Sequence, residues 1–201
     1  MKPTVPILAF ASARSLDQWL ARNHSSSTGV WLKLAKKGAA VASVTYAEAI
    51  EVALTWGWID GQKQAHDASH WLQKLTPRGA RSLWSKINRD KASALIAAGK
   101  MQPRGLAEVE RARRDGRWER AYDGPSRSTV PDDLSAALDR NARAKKRFAT
   151  LDAANRYAIL WRVQTAKKPE TRARRIADLV AMLARGELLH PERRKKASRS
   201  R

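Results

Sequence analysis

The sequence predicts an α+β fold, in which a small, mainly antiparallel sheet of about four strands packs with helices. A C-terminal helical region and a disordered basic tail follow. Three observations predict this class: Val30 to Lys36 alternates like a half-buried strand, Thr45 to Leu54 has helical spacing behind a capping signal, and two strand-like runs flank the polar segment 66–70. With 201 residues, the chain can bury a core without metal or disulfide.

The first third of the chain predicts two strands and a helix. A strand through Ile7 to Phe10 precedes a helix that Ser12 or Ser15 can cap. In the second strand, Val30 to Lys36, one face carries three apolar residues and the other carries Trp31 and Lys33.

The next segment predicts a helix followed by a hairpin. The helix begins after Thr45, which forms a capping box with Glu48, and should end near Gly57. The pattern becomes extended from Trp58, a turn or bulge is expected at 60–61, and two strands, 62–65 and 71–75, complete the hairpin. Their inward faces stay open, because Trp58 and Ile59 are adjacent and both favour burial.

The remaining chain predicts helices only. Ser82 or Ser85 opens a stretch that carries Trp84, Ile87, Leu95 and Ile96, and another helix starts at Pro103. After a linker, helices are expected from Pro131 to a stop at Asn141, around 155–165, and from Pro169 to Gly186. We therefore predict an α+β core domain over residues 1–122, a linker over 123–131, a C-terminal helical region over 132–187 and the tail over 188–201.

The net charge of +21, with a pI of about 11.2, is the strongest bulk feature. It rises along the chain, since residues 1–60 carry 6 basic and 4 acidic side chains whereas residues 121–201 carry 20 and 9. Such a field attracts polyanions, including nucleic acid, although an arginine-rich composition that merely aids solubility explains it equally well. No apolar stretch approaches the roughly 18 residues of a membrane span.

Half of the eight tryptophans lie between Leu54 and Asn88. They can line a pocket for a small ligand or pack the sheet against its helices, and the second interpretation is favoured. The candidate pocket residues are Trp56, Trp58, Asp60, Trp71, Trp84 and Lys86.

Metal and cofactor chemistry receive little support from the residues. The chain has no cysteine, which excludes disulfides, thiolate metal sites and a cysteine nucleophile. His66 and His70 flank Asp67, but the hairpin tip there is not the helix that a zinc-binding pair requires. No catalytic arrangement or phosphate-binding glycine loop stands out, so neither a catalytic residue nor a cofactor is predicted.

Basic residues at the start of the last helix and in the tail form a second candidate site. Guanidinium and ammonium groups at a helix N-terminus suit phosphate or another anion, whereas a solvated face with arginines paired to nearby acids is the alternative. The anion-binding candidates are Lys167, Lys168, Arg172, Arg174, Arg175, Arg193, Arg194, Lys195 and Lys196.

Three motifs together resemble the YdeI/OmpD-associated family, also called the bacteriocin-protection family. They are TWGWIDGQ at 55–62, LTPRGARSLWSKIN at 75–88 and NRYAILWRVQTAKKPETRARRI at 155–176. The resemblance implies a small α+β bacterial protein linked to tolerance of bacteriocins or cationic peptides and to an outer-membrane porin. It implies no catalytic residue, cofactor or reaction.

The leading hypothesis is a non-enzymatic cytoplasmic protein of stress or antimicrobial-peptide tolerance that binds an anionic or protein partner through its basic C-terminal half. Two alternatives remain open. One is nucleic-acid binding through the basic tail and the run 167–175, and the other is an enzyme or small-ligand sensor with a tryptophan-lined pocket.

Overall fold

The computed structural model describes residues 5–191. The chain divides between Ala121 and Tyr122 into two compact units, and each has its own hydrophobic core. Unit 1 contains β1 (Ile7–Ala9), α1 (Ala13–Asn23), β2 (Val30–Ala35), α2 (Tyr46–Thr55), β3 (Trp58–Ala65), β4 (His70–Pro77), α3 (Lys86–Ala97) and α4 (Pro103–Arg114). Unit 2 contains α5 (Asp132–Asp139), α6 (Ala142–Ala149), α7 (Ala153–Gln164) and α8 (Pro169–Ala184).

The sheet of unit 1 has the strand order β1-β2-β4-β3. The β2–β4 and β3–β4 pairings are antiparallel and the β1–β2 pairing is parallel. The predicted α+β class with a mainly antiparallel sheet of four strands is therefore confirmed.

Burial along β2 follows the predicted alternation. Val30, Leu32 and Leu34 are buried, and the residues between them are half-buried. On β3, Trp58 is fully buried whereas Ile59 is only half-buried, which answers the question that the sequence left open about that strand.

The expected irregularity at 60–61 is a β-bulge, because the pairing of β3 with β4 shifts register between Asp60 and Lys63. The buried side chain of Gln73 bonds to the backbone at this bulge. Its Nε2 donates to the carbonyl oxygens of Gly61 at 3.0 Å and Gln62 at 3.2 Å, so the carbonyls displaced by the bulge still have a hydrogen-bond donor.

Capping explains where α2 and α3 begin. Thr45 and Glu48 form the predicted capping box at the start of α2, and Ser85 is the N-cap of α3. Of the two serines expected to open this helix, Ser85 is the one that does, so Trp84 precedes α3. Ile87 lies in the helix and is 45% exposed.

Over its described residues, 122–191, unit 2 contains one helix more than predicted. Asn141 was interpreted as a helix stop, but its side chain accepts a hydrogen bond from the backbone N–H of Ala144 at 3.0 Å and caps α6. The helices bury Leu134, Leu138, Ala144, Phe148, Ile159, Leu160, Val163, Ile176, Leu179 and Leu183 as a common core. Within residues 5–191, no helix has both the length and the apolar composition needed to cross a membrane.

Candidate functional site

Three of the four candidate tryptophans belong to the core of unit 1. Trp56, Trp58 and Trp84 are 9%, 0% and 2% exposed. The indole N–H of Trp56 donates to Asp17 at 2.8 Å, and the ring of Trp58 meets that of Trp19 edge-on at 6.0 Å. These rings contribute packing area to the core of unit 1.

Trp84 lies between two other large side chains. The guanidinium carbon of the buried Arg78 is 3.6 Å from the ring centroid, and the ring of Trp118 lies 4.9 Å away in an edge-on arrangement. Arg78 also donates to the carbonyl oxygen of Leu83 at 3.3 Å. The motif at 75–88 thus builds a cation–π contact into the core, where burial strengthens it.

Trp71 is the candidate tryptophan that borders open space. A groove of about 370 Å³ beside the hairpin is lined by Lys63, Gln64, Ala65 and Trp71. The rings of Tyr46 and Trp71 are 5.9 Å apart, and the Tyr46 hydroxyl donates to Asp60 at 2.7 Å. The structure therefore brings Trp71 and Asp60 together through Tyr46, which the sequence did not single out.

Lys86 is not one of the residues that line this groove. It is the first residue of α3 and is half-buried. Of the six pocket candidates, then, only Trp71 lines the groove, and Asp60 is linked to it through Tyr46.

The hairpin tip is organised by Asp67. Its carboxylate accepts from the backbone N–H groups of Ser69 at 2.8 Å and His70 at 2.7 Å, and from the ring of His70 at 3.0 Å. Desolvation raises the pKa of Asp67, but hydrogen bonds from His70, Ser69 and Lys33 outweigh it and hold that pKa well below its usual range. Asp67 therefore fixes the turn as a carboxylate at neutral pH. No group of three or more potential metal ligands is found within residues 5–191.

Two of the cations predicted to bind anions are engaged within unit 2. Arg172 donates to both oxygens of Asp133, at 2.6 and 2.8 Å, and to the carbonyl oxygen of Val163 at 2.9 Å. Arg175 donates to the carbonyl oxygen of Arg162 at 2.7 Å. Both arginines thus satisfy carbonyls at the C-terminal end of α7, where the helix itself provides no donor.

The hydrogen bonds from Arg172 lower the pKa of Asp133, and burial only partly offsets them. The alternative that arginines of this run pair with acids therefore holds for Arg172, although its partner comes from α5 and not from α8.

Lys167, Lys168 and Arg174 are exposed. Their side chains form no hydrogen bond or ion pair with any part of the chain that the structure describes. The remaining candidates, Arg193, Arg194, Lys195 and Lys196, and with them most of the predicted tail, lie outside the described residues.

A further set of exposed cations was not among the residues predicted from the sequence to bind anions. Arg140, Arg143, Lys145 and Lys146 lie on or next to α6, the helix that was not predicted. The run RNARAKKR at 140–147 was the available signal, since short arginine- and lysine-rich runs are typical of polyanion-binding patches.

Two family models match the chain, and they cover different parts of it. The model described as Domain of unknown function (DUF8412) matches residues 8–108, which include the first two of the three motifs. The model described as Bacteriocin-protection, YdeI or OmpD-Associated matches residues 127–186, which include the third motif and helices α5 to α8. No curated protein matches the chain, and no solved structure does.

Proposed function

We propose a function from the premise that the chain belongs to the DUF8412 family and that its C-terminal part is of the bacteriocin-protection, YdeI or OmpD-associated type. The protein acts as a non-enzymatic tolerance protein, which protects a bacterium against cationic peptides by binding an anionic partner through unit 2. The cytoplasm is the proposed place of action.

The exposed cations at the start of α8 carry this proposal. Arg172 and Arg175 are used to hold the unit together, whereas Lys167, Lys168 and Arg174 project into solvent. Charges that are not needed for the fold and form no ion pair within the described residues are available to a partner.

The sign of the charge restricts the partner. A cationic antimicrobial peptide would be repelled by these residues, because like charges brought together at an interface are unfavourable. The surface therefore suits an anionic protein or another polyanion in the pathway of tolerance, not the peptide itself.

The test is complementation of a gene deletion. A strain that lacks the protein should become more sensitive to a cationic peptide, and the wild-type gene should restore tolerance. A triple variant, Lys167→Gln/Lys168→Gln/Arg174→Gln, should fail to restore it at equal protein level. Unchanged sensitivity of the deletion strain would remove the proposal.

A control variant with the same change of charge separates a local site from net charge. Arg14, Arg22 and Lys37 are exposed in unit 1, and their replacement by glutamine should leave complementation intact. Equal failure of both triple variants would show that overall charge, and not the α8 residues, is what matters. Fractionation of the same strains tests the cytoplasmic location.

The groove at Trp71 supports a second candidate function, a small-ligand sensor. Its volume of about 370 Å³ falls within the range of ligand sites, and an aromatic ring beside an amine and an amide suits such a site. A thermal-shift screen should then find a compound that stabilises the wild type and not Trp71→Ala. If no compound in the screen stabilises the wild type, the proposal that the groove binds a small ligand is rejected.

A further inference from the structure

Helix α6 is the most uniformly cationic element of unit 2. It contains Arg143, Lys145, Lys146 and Arg147 and no acidic residue. Arg140 precedes it and is exposed. Asp139 pairs with Lys145 at 2.8 Å. Arg140, Arg143 and Lys146 form no ion pair with any residue that the structure describes.

Helical geometry separates the charges from the core. Ala144 and Phe148 are buried, and at 100° per residue Lys146 lies on the opposite side of the helix, with Arg143 next to it. Residues three apart on a helix have Cβ atoms about 5–6 Å from each other. Within α6, Ala142 and Ala149 are the other exposed residues on that side, and the C-cap Thr150 follows them. The two long cationic side chains therefore project beyond their small neighbours.

Helix α7 adds a cation from a different part of the sequence. The guanidinium carbon of Arg156 lies 4.6 Å from the ring centroid of Phe148, and Arg156 is exposed. This cation–π contact holds a charge of α7 beside α6. Phe148 belongs to the buried side of α6, so Arg156 adds positive charge beside the helix but is not one of the residues of the face that carries Arg143 and Lys146.

We propose that this patch, Arg140, Arg143 and Lys146, docks the phosphate backbone of duplex nucleic acid. Guanidinium groups match phosphate geometry. A surface of small residues that carries several cations is complementary in charge to a continuous row of phosphates. The patch reads charge and not base sequence, because phosphate contacts position a protein without specifying bases.

The composition of the exposed face excludes the two nearest alternatives. An interfacial membrane helix needs large apolar residues to insert, and α6 keeps its one such residue, Phe148, in the core. Binding of single strands relies on aromatic platforms for base stacking, and the exposed side of α6 has none. The patch uses none of the residues proposed for the tolerance function, so either proposal can fail without the other.

The experiment measures binding of the full-length chain to a labelled duplex of about 20 base pairs by fluorescence anisotropy across a salt series. The variant Arg140→Gln/Arg143→Gln/Lys146→Gln should lower the slope of log affinity against log salt by roughly 2 to 3, because each lost phosphate contact contributes about 0.9. At low salt its affinity should fall at least about tenfold.

The matched control is Arg14→Gln/Arg22→Gln/Lys37→Gln, which removes three exposed charges from unit 1. It keeps the tail and the patch, so it should change the slope by less than about 1. Equal losses in the two variants would overturn the proposal, because binding would then follow net charge alone.

Two further arms keep the result clear. Arg140 is also the C-cap of α5, so Arg143→Gln/Lys146→Gln serves as a variant without that change, and circular dichroism checks its fold. The double variant should lower the slope by roughly 2. Vesicles rich in an anionic phospholipid form the second arm. A patch variant that loses vesicle binding but keeps duplex binding would assign the surface to membranes and refute the proposal.

Discussion

Replacement of Arg172 by glutamine tests whether this arginine holds unit 2 together. The side chain connects three helices, since Arg172 belongs to α8, Asp133 to α5 and Val163 to α7. Glutamine keeps part of the side-chain length but removes the charge and the paired N–H groups that meet the carboxylate of Asp133. We expect the free energy of unfolding to fall.

The expected loss is about 1–2 kcal/mol. The ion pair with Asp133 is well aligned, but the two side chains are 30% and 46% exposed, so solvent screening limits its contribution to about 0.5–1 kcal/mol. The hydrogen bond to the Val163 carbonyl adds about 1 kcal/mol. Exposed Arg174, two residues further on, should change stability by less than about 0.5 kcal/mol when replaced in the same way.

The effect should depend on pH with a defined sign. Arg172 holds the pKa of Asp133 in the folded protein below the value of 3.8 expected for the unfolded chain. A carboxylate with a depressed pKa contributes its stability above the unfolded value, and the contribution is lost as pH falls through the folded pKa. The difference between wild type and Arg172→Gln should thus be largest near neutral pH and shrink below about pH 4.

Urea unfolding followed by circular dichroism at pH 7 and pH 3 provides the measurement. A double-mutant cycle with Asp133→Asn isolates the pair, and its coupling energy should be positive at pH 7 and smaller at pH 3. The reasoning is refuted if Arg172→Gln and Arg174→Gln are equally harmless at pH 7, or if the coupling energy is zero there.

Two other substitutions have outcomes set by the structure. At Gly105 an added Cβ would lie 2.3 Å from the carbonyl oxygen of Thr55, so Gly105→Ala should lower the free energy of unfolding in urea by about 1–3 kcal/mol. At Gly61 an added Cβ would lie 3.9 Å from the nearest atom, the carbonyl oxygen of Lys74, so Gly61→Ala should change that free energy by less than about 0.5 kcal/mol. Equal effects of the two substitutions would contradict the packing argument. The buried amide of Asn155 donates to the carbonyl oxygen of His190 at 3.1 Å and accepts from its backbone N–H at 2.9 Å. Asn155→Ala should therefore speed proteolysis near residue 190 in limited digestion. An unchanged digestion rate would show that other contacts hold that segment.

Elements whose signals were local were predictable from sequence. The alternation of β2 and the capping box of Thr45 and Glu48 were confirmed, because a two-residue period and a reciprocal cap leave few alternatives. The family resemblance was confirmed over residues 127–186. Both kinds of signal are contained in short stretches of chain.

Helix α6 was missed for a physical reason. Asparagine is favoured both at helix N-caps and just after helix ends, so Asn141 alone gives no direction. The helix has only one large apolar residue, Phe148, and its remaining positions are cationic or alanine, which leaves too little periodicity to detect. The cap geometry decides the matter, and that is visible only in three dimensions.

The site predictions depended on contacts that residue type does not encode. Tryptophan packs a core or lines a pocket with the same ring, and only Trp71 borders the groove. Trp58 lies one residue from half-buried Ile59 and is itself fully buried, so strand register and not composition separates the two environments.

The arginines of α8 show which additional signal the sequence does contain. Arg172 lies four residues before Ile176 and Arg175 four residues before Leu179, and both apolar residues are buried; a spacing of four places each arginine on the same face as a core residue. Arg174 precedes exposed Asp178 by the same interval and therefore faces solvent. Helical phase thus divides the cations of one short run into those that serve the fold and those that remain available to a partner. Total charge cannot make this division, because every arginine contributes equally to it.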